Sequence, residues 1–182
     1  MNPSGPFGEE LRVGVAVTVP EPYAADLRAV RSRVGDPAAD LIQPHITLLG
    51  PTVVPSTALP EVEEHLREVA DRHAPFTVHL RGTATFRPVS PVVFVQVVEG
   101  IASCELLEVD IRSGVLDSEL RFHYHPHVTV AHEVPDAALD QAFTEMADFE
   151  ARFDVPEIHV YEHGDDGVWR TMGAFPLAGS RA

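Results

Sequence analysis

Two short segments of this chain carry the same five-residue pattern, Pro-His-aliphatic-Thr-aliphatic: Pro44, His45, Ile46, Thr47, Leu48 and Pro126, His127, Val128, Thr129, Val130. A bare His-x-Thr is expected about 0.5 times by chance in a chain of this composition, and requiring the proline and both aliphatic positions lowers that to about 0.003. The repetition is therefore the signal. In a strand, residues two apart face the same side, so each copy projects one imidazole and one hydroxyl together while its aliphatic residues enter the core. Two such strands lining one cleft bring together two imidazoles and two hydroxyls.

That set suits phosphodiester hydrolysis without a metal. A neutral histidine can take a proton from water, an imidazolium can protonate the departing oxygen, and an unperturbed pKa of about 6.5 lets both states coexist near neutrality. Threonine hydroxyls can donate to the non-bridging phosphate oxygens, where negative charge is concentrated. Positioning and charge stabilisation can carry most of such a reaction, and no nucleophilic side chain is needed.

The elements that must position these groups are read from periodicity. Residues 11–19 alternate around valines as a strand, and prolines open a helix over residues 22–34. The first motif forms a strand over residues 45–49, closed by Gly50 and Pro51. Apolar positions Leu59, Val62, Leu66, Val69 and Ala70 recur at helical spacing within residues 59–73. Residues 76–86 and 92–98 form a hairpin, residues 104–116 and 137–149 are helical, and residues 155–161 and 168–177 are strands around a Gly164–Gly167 turn. Each motif strand is preceded by a strand and a helix and followed by a helix, as in two lobes related by a pseudo-two-fold axis. No glycine-rich phosphate loop follows the first strand, which removes dinucleotide and P-loop readings. The expected architecture is α+β: a bilobal fold whose antiparallel sheets line a central cleft, with helices packed outside. Residues 1–10 are expected as a mobile arm, 11–177 as the single bilobal domain, and 178–182 as an unstructured tail.

Charge limits the ligand. The chain has 28 acidic against 13 basic residues, a net charge of -15, and every basic residue is an arginine. Such a surface repels polyanions at long range, so a phosphate must be held locally by arginines, backbone N–H groups or protonated histidines. A small or end-bound phosphate is the expected partner, with no broad nucleic-acid surface and no cofactor. Arg81 and Arg121 are the candidate clamps, because a guanidinium matches two phosphate oxygens at once.

The alternating His123, His125 and His127, with His132 nearby, read either as ligands of a transition metal or as solvent-facing rings, of which His125 and His132 could orient His127. His65 and His73 are expected in solvent. Trp169, Tyr161, Phe86 and Phe175 are expected to fill cores. The single cysteine, Cys104, excludes an intramolecular disulfide and reads as a small core residue. The absence of an apolar run of membrane-spanning length and of a signal-peptide pattern leads to the expectation of a cytoplasmic protein, taken as a monomer.

With these residues in place, the chain resembles the two-histidine phosphoesterase superfamily, specifically the 2′,5′ RNA ligase and RNA 2′,3′-cyclic phosphodiesterase family, which is defined by two His-x-Thr-x motifs. The first strand ending at Pro20, the stretch of residues 82–97 and the closing residues 169–177 also look like the family pattern. It departs from that pattern in carrying Leu49, Gly50 and Pro51 where many members have an aromatic residue, and Ala131 and His132 where an arginine is common. The resemblance implies a metal-independent opening of 2′,3′-cyclic phosphates to 2′-phosphomonoesters, with His45 as proton donor, His127 as proton acceptor, and Thr47 and Thr129 on the phosphate. Near-symmetry of the two motifs leaves the donor and acceptor unassigned by the residues themselves. Two other readings stand beside it: a module that binds nucleotides or RNA ends with little turnover, and a histidine-based metallohydrolase.

Overall fold

A computed structural model of the chain describes residues 9–180. Most of the expected N-terminal arm, residues 1–8, and the last two residues of the tail lie outside the described residues. The elements run β1 (Glu10–Thr18), α1 (Tyr23–Arg33), β2 (His45–Pro55), α2 (Leu59–Arg72), β3 (Phe76–Thr85), β4 (Val92–Glu99), α3 (Ile101–Ile111), β5 (His127–His132), α4 (Asp136–Glu145), β6 (Glu150–Val155), β7 (Glu157–His163) and β8 (Trp169–Pro176). They form two four-stranded antiparallel sheets with orders β2-β1-β7-β8 and β5-β4-β3-β6. One apolar core, which includes Val15, Ile46, Leu107 and Val128, runs beneath both.

The expected α+β two-lobed plan is what the topology shows. Each motif strand is the edge of its own sheet, paired to the strand that precedes it by one helix: β1-α1-β2 in one lobe, β4-α3-β5 in the other. The helices cross the seam, since α1 packs against β5 and α3 against β2. The arrangement therefore repeats across the seam with the lobes exchanged. Among the described residues no helix is long and apolar enough to cross a membrane.

Local chemistry explains where α1 and α3 begin. The Glu21 carboxylate accepts the Ala25 N–H at 2.9 Å at the start of α1, where an acid also complements the helix dipole. Helix α2 buries Val62, Leu66, Val69 and Ala70 along one stripe, as the spacing predicts. Cys104 is fully buried on α3, and burial pushes its thiol up to about 12, which suits a core residue and not a nucleophile. Gly100 opens α3 at φ +96°, where a Cβ would lie 2.8 Å from the Thr77 carbonyl oxygen, so the turn from β4 requires glycine.

Four expectations are corrected. Strand β2 does not stop at Gly50 and Pro51 but continues to Pro55. The pairing passes from Val15↔Leu49 to Val13↔Thr52, so Gly14 alone faces Gly50 and Pro51 across a bulge, and an edge strand tolerates the proline's missing donor. Helix α4 ends at Glu145 and not at Phe149, and residues left between the expected helix and the strand at 155 form β6; Ala151, Phe153 and Val155 point inward between exposed neighbours. His65 and His73 are not simply solvated: their Nε2–H groups donate to the Ile111 carbonyl at 2.9 Å and to Asp110 at 2.7 Å, tying α2 to α3. The tail begins docked, since the Ala178 and Gly179 N–H groups donate to the carbonyls of Ala70 and His73, each at 3.0 Å.

A buried ion pair fastens the lobes. Arg31 of α1 and Asp36 just beyond it are 4% and 5% exposed and pair at 2.8 Å. Asp36 also accepts the N–H of Ala38 at 2.8 Å and, across the seam, that of His132 at the end of β5 at 3.1 Å.

Candidate active site

The two motifs fold into matching pieces of strand. Pro44, Ile46 and Leu48 are buried while His45 and Thr47 are half-buried; Pro126, Val128 and Val130 are buried while His127 and Thr129 are half-buried. The alternation is that of strands with one face on the core and the other turned away from it.

Each imidazole is oriented by the main chain two residues before it. The Nδ1 of His45 lies 2.7 Å from the Gln43 carbonyl oxygen, and the Nδ1 of His127 lies 2.7 Å from the His125 carbonyl oxygen. A carbonyl only accepts, so both Nδ1 atoms carry the proton and donate it, and the free lone pair of each neutral ring sits on Nε2. In His45 that Nε2 accepts a hydrogen bond from the Thr47 hydroxyl at 3.1 Å. The motif strands meet across the seam, where the Tyr124 hydroxyl donates to the Thr47 carbonyl at 2.8 Å.

Burial is the main reason that both imidazoles resist protonation. It holds His45 down to about 4, with the Gln43 carbonyl opposing and the positive charges of Arg31 and His127 assisting. His127 is also lowered by burial, with the His125 carbonyl opposing and the His125 ring assisting. Burial therefore favours the neutral form of both imidazoles at neutral pH.

Aromatic rings brace both histidines, which corrects their reading as core filler. Trp169, half-buried on β8, packs on His45 with ring centroids 4.6 Å apart. Its indole lies over Gly14, at ordinary van der Waals distance from where a Cβ would stand. Half-buried Phe86 stands edge-on to His127 at 5.0 Å, and Phe94 lies 5.1 Å from the same ring. Tyr161 is buried with its hydroxyl 2.6 Å from that of Thr18, and Phe175 does belong to the core.

The register supplies residues that the motif reading missed. Thr18 pairs with His45 and Gln96 with His127, so both share the motif faces. Thr18 is held by Tyr161 and by the His159 Nδ1 at 3.2 Å. Only strand pairing reveals these two positions; the segments containing them carry no motif.

The remaining candidates lie further out. His125 contributes its main-chain carbonyl while its exposed ring stacks 6.3 Å from His127. His132 is anchored through its N–H to Asp36, and neither ring hydrogen-bonds His127. Arg81 lines a cavity of about 510 Å³ together with Gln96, and Arg121 lines one of about 350 Å³ together with Thr47. Among the described residues no three His, Cys, Asp or Glu side chains stand together as a metal site.

A family profile described as the 2′-5′ RNA ligase superfamily matches residues 19–167, which include both motifs. The chain belongs to this superfamily. A protein of Bacillus cytotoxicus named "Putative phosphoesterase" is 26% identical over 169 residues, covering 92% of this chain and 97% of its own. A Bacillus cereus protein of the same name is 25% identical over the same spans. Among solved structures, E. coli LigT complexed with 3′-AMP superimposes with a TM-score of 0.70 at 20% identity, covering 93% of this chain and 99% of LigT. The protein TT0787 of Thermus thermophilus gives 0.64 at 24% identity, covering 94% and 100%. At these identities the superpositions show that the fold is shared.

Proposed function

We propose that this superfamily member is a phosphoesterase that opens the 2′,3′-cyclic phosphates of nucleotides or RNA ends to 2′-phosphomonoesters by two-histidine acid–base catalysis. The observation that carries the reading is the matched pair: two motif strands that meet across the seam, each presenting His and Thr on its non-core face, each ring held by a main-chain carbonyl with Nε2 unprotonated. The phosphoesterase names of the Bacillus relatives and the 3′-AMP bound by LigT point to the same ligand class.

The chemistry follows from the atoms. A water oxygen attacks phosphorus while the Nε2 of the acceptor histidine takes its proton. The bond from phosphorus to the 3′-oxygen breaks, and the donor imidazolium gives its Nε2 proton to that oxygen. The Thr47 and Thr129 hydroxyls donate to the non-bridging oxygens as charge builds there. Thr47 donates to His45; a bound phosphate takes that hydrogen bond over and frees Nε2 for a proton.

The family resemblance implies His45 as the donor, which must then gain a proton that burial otherwise denies it. One phosphate charge about 4 Å away, at an effective dielectric constant of about 20, is worth about 4 kcal/mol. That equals roughly three pKa units, enough to lift His45 from about 4 to near neutrality. Binding is therefore expected to take up a proton. At pH 6 the His127→Ala variant, unable to turn over, takes up roughly 0.9 proton with 2′,3′-cyclic AMP. The test is calorimetry in buffers of different ionisation enthalpy, and a buffer-independent heat contradicts it.

The reaction itself is tested by incubating purified protein with 2′,3′-cyclic AMP and separating the products. Adenosine 2′-phosphate is expected; the 3′-isomer, or binding with no product, overturns the proposal.

A further inference from the structure

In a chain with more than twice as many acidic as basic residues, an arginine without a carboxylate is conspicuous. Every described arginine forms an ion pair except Arg12, Arg81 and Arg121. Arg121 stands where a guanidinium is of most use to a substrate. It lines the cavity of about 350 Å³ between β2 and the segment leading to β5, and Thr47 lines the same cavity. Its guanidinium lies 5.2 Å above the ring of Phe122, which steadies it without neutralising it.

The surroundings resemble a ligand wall more than a solvated loop. Leu120, which lines the cavity, and Phe122 are 46% and 60% exposed, so apolar surface stands on both sides of Arg121 in the chain. Tyr124, on the same wall, donates to the Thr47 carbonyl and so fixes the cavity to the catalytic strand. Of the cavity's other charges, Arg112 is held by Glu108 and by the Ser118 carbonyl, which leaves Glu119 as the one carboxylate without a partner arginine. At Gly50, on the β2 side, a Cβ would meet nothing within 4 Å.

We propose that Arg121 marks a second anion subsite, which takes the phosphate on the 5′ side of the nucleotide whose cyclic phosphate occupies the His–Thr cleft. The inference rests on the proposed reaction and narrows its substrate. The preferred substrate carries a 5′-phosphate or a preceding phosphodiester, and a nucleoside cyclic phosphate without one is a poor substitute. A guanidinium suits this role because it forms two parallel charge-assisted bonds to phosphate oxygens. It also accounts for a very acidic protein accepting an RNA end: the attraction is confined to one side chain next to the cleft.

The test compares kcat/KM for adenosine 2′,3′-cyclic phosphate, the same compound bearing a 5′-phosphate, and the dinucleotide ending in a 2′,3′-cyclic phosphate. The native protein is expected to favour the two longer substrates by about ten-fold or more, a preference that shrinks as salt is added. Arg121→Ala loses most of that preference, Arg121→Lys keeps part of it, and Gly50→Phe, which fills the cavity from the opposite wall, loses it too. A preference for the 5′-phosphate compound alone identifies a monoester ligand; an equal preference for the dinucleotide identifies the chain phosphate. An undiminished preference in Arg121→Ala and Gly50→Phe, or none in the native protein, removes the subsite alone. Turnover of none of the three substrates overturns the reaction and this inference with it.

Discussion

Replacing either cleft histidine by alanine is expected to lower kcat on a 2′,3′-cyclic nucleotide by roughly 10²–10⁴-fold, the range for loss of one general acid or base. KM should move little, because the threonine hydroxyls and the opposite imidazole still bind the phosphate. The two variants should separate on an activated phosphodiester whose leaving group is p-nitrophenolate. That group departs without a proton, so it restores the variant that lacks the donor and not the one that lacks the acceptor. With His45 as donor, His45→Ala recovers and His127→Ala does not. The reverse pattern exchanges the roles, and recovery of neither contradicts acid–base catalysis by this pair. Steady-state kinetics on the two substrates reads all three outcomes.

The second large effect falls on stability. Asp36→Ala leaves Arg31 charged and unpaired where both partners are about 95% buried, and removing one partner of a buried pair costs about 3–5 kcal/mol. For a domain of this size that lowers Tm by roughly 10 °C. The exposed pair between Arg33 and Glu145 has side chains 51% and 35% accessible, so Glu145→Gln is expected to cost no more than about 1 kcal/mol. Thermal or urea unfolding compares the two, and equal losses contradict the assignment. Asp36→Ala also frees the His132 N–H, and with it the end of the strand that carries His127. Burial thus places structural and catalytic demands on one carboxylate.

The motif strands and the faces they present were legible because a period of two needs only five residues to show itself, and helix α2 was legible because its apolar stripe recurs over four turns. The lobe repeat followed from the order of elements. What depends on distant register was not legible. Trp169 reaches His45 only because β8, β7, β1 and β2 are neighbours in one sheet, and Phe86 reaches His127 only because β3, β4 and β5 are neighbours in the other. The continuation of β2 past Gly50 and Pro51 depends on a bulge opposite Gly14. Strand β6 has only three inward residues, too few to outweigh the helical pattern before it. The carbonyls of Gln43 and His125 that fix the imidazoles belong to the main chain, so residue type does not announce them.

Acid–base catalysis by two histidines without a metal is tested most directly by the pH dependence of kcat/KM for a 2′,3′-cyclic nucleotide in excess chelator. Activity belongs to the form with one proton shared by the pair, so the profile is a bell set by the pair's two macroscopic pKa values. Burial lowers both histidines of the free protein, which puts the maximum of kcat/KM on the acid side of about 6.5. The kcat profile lies higher because the bound phosphate favours the protonated pair. The expected result is such a bell, unchanged by chelator. Activity abolished by chelator and restored by a transition metal, or a rate independent of pH from 4 to 8, would contradict the account.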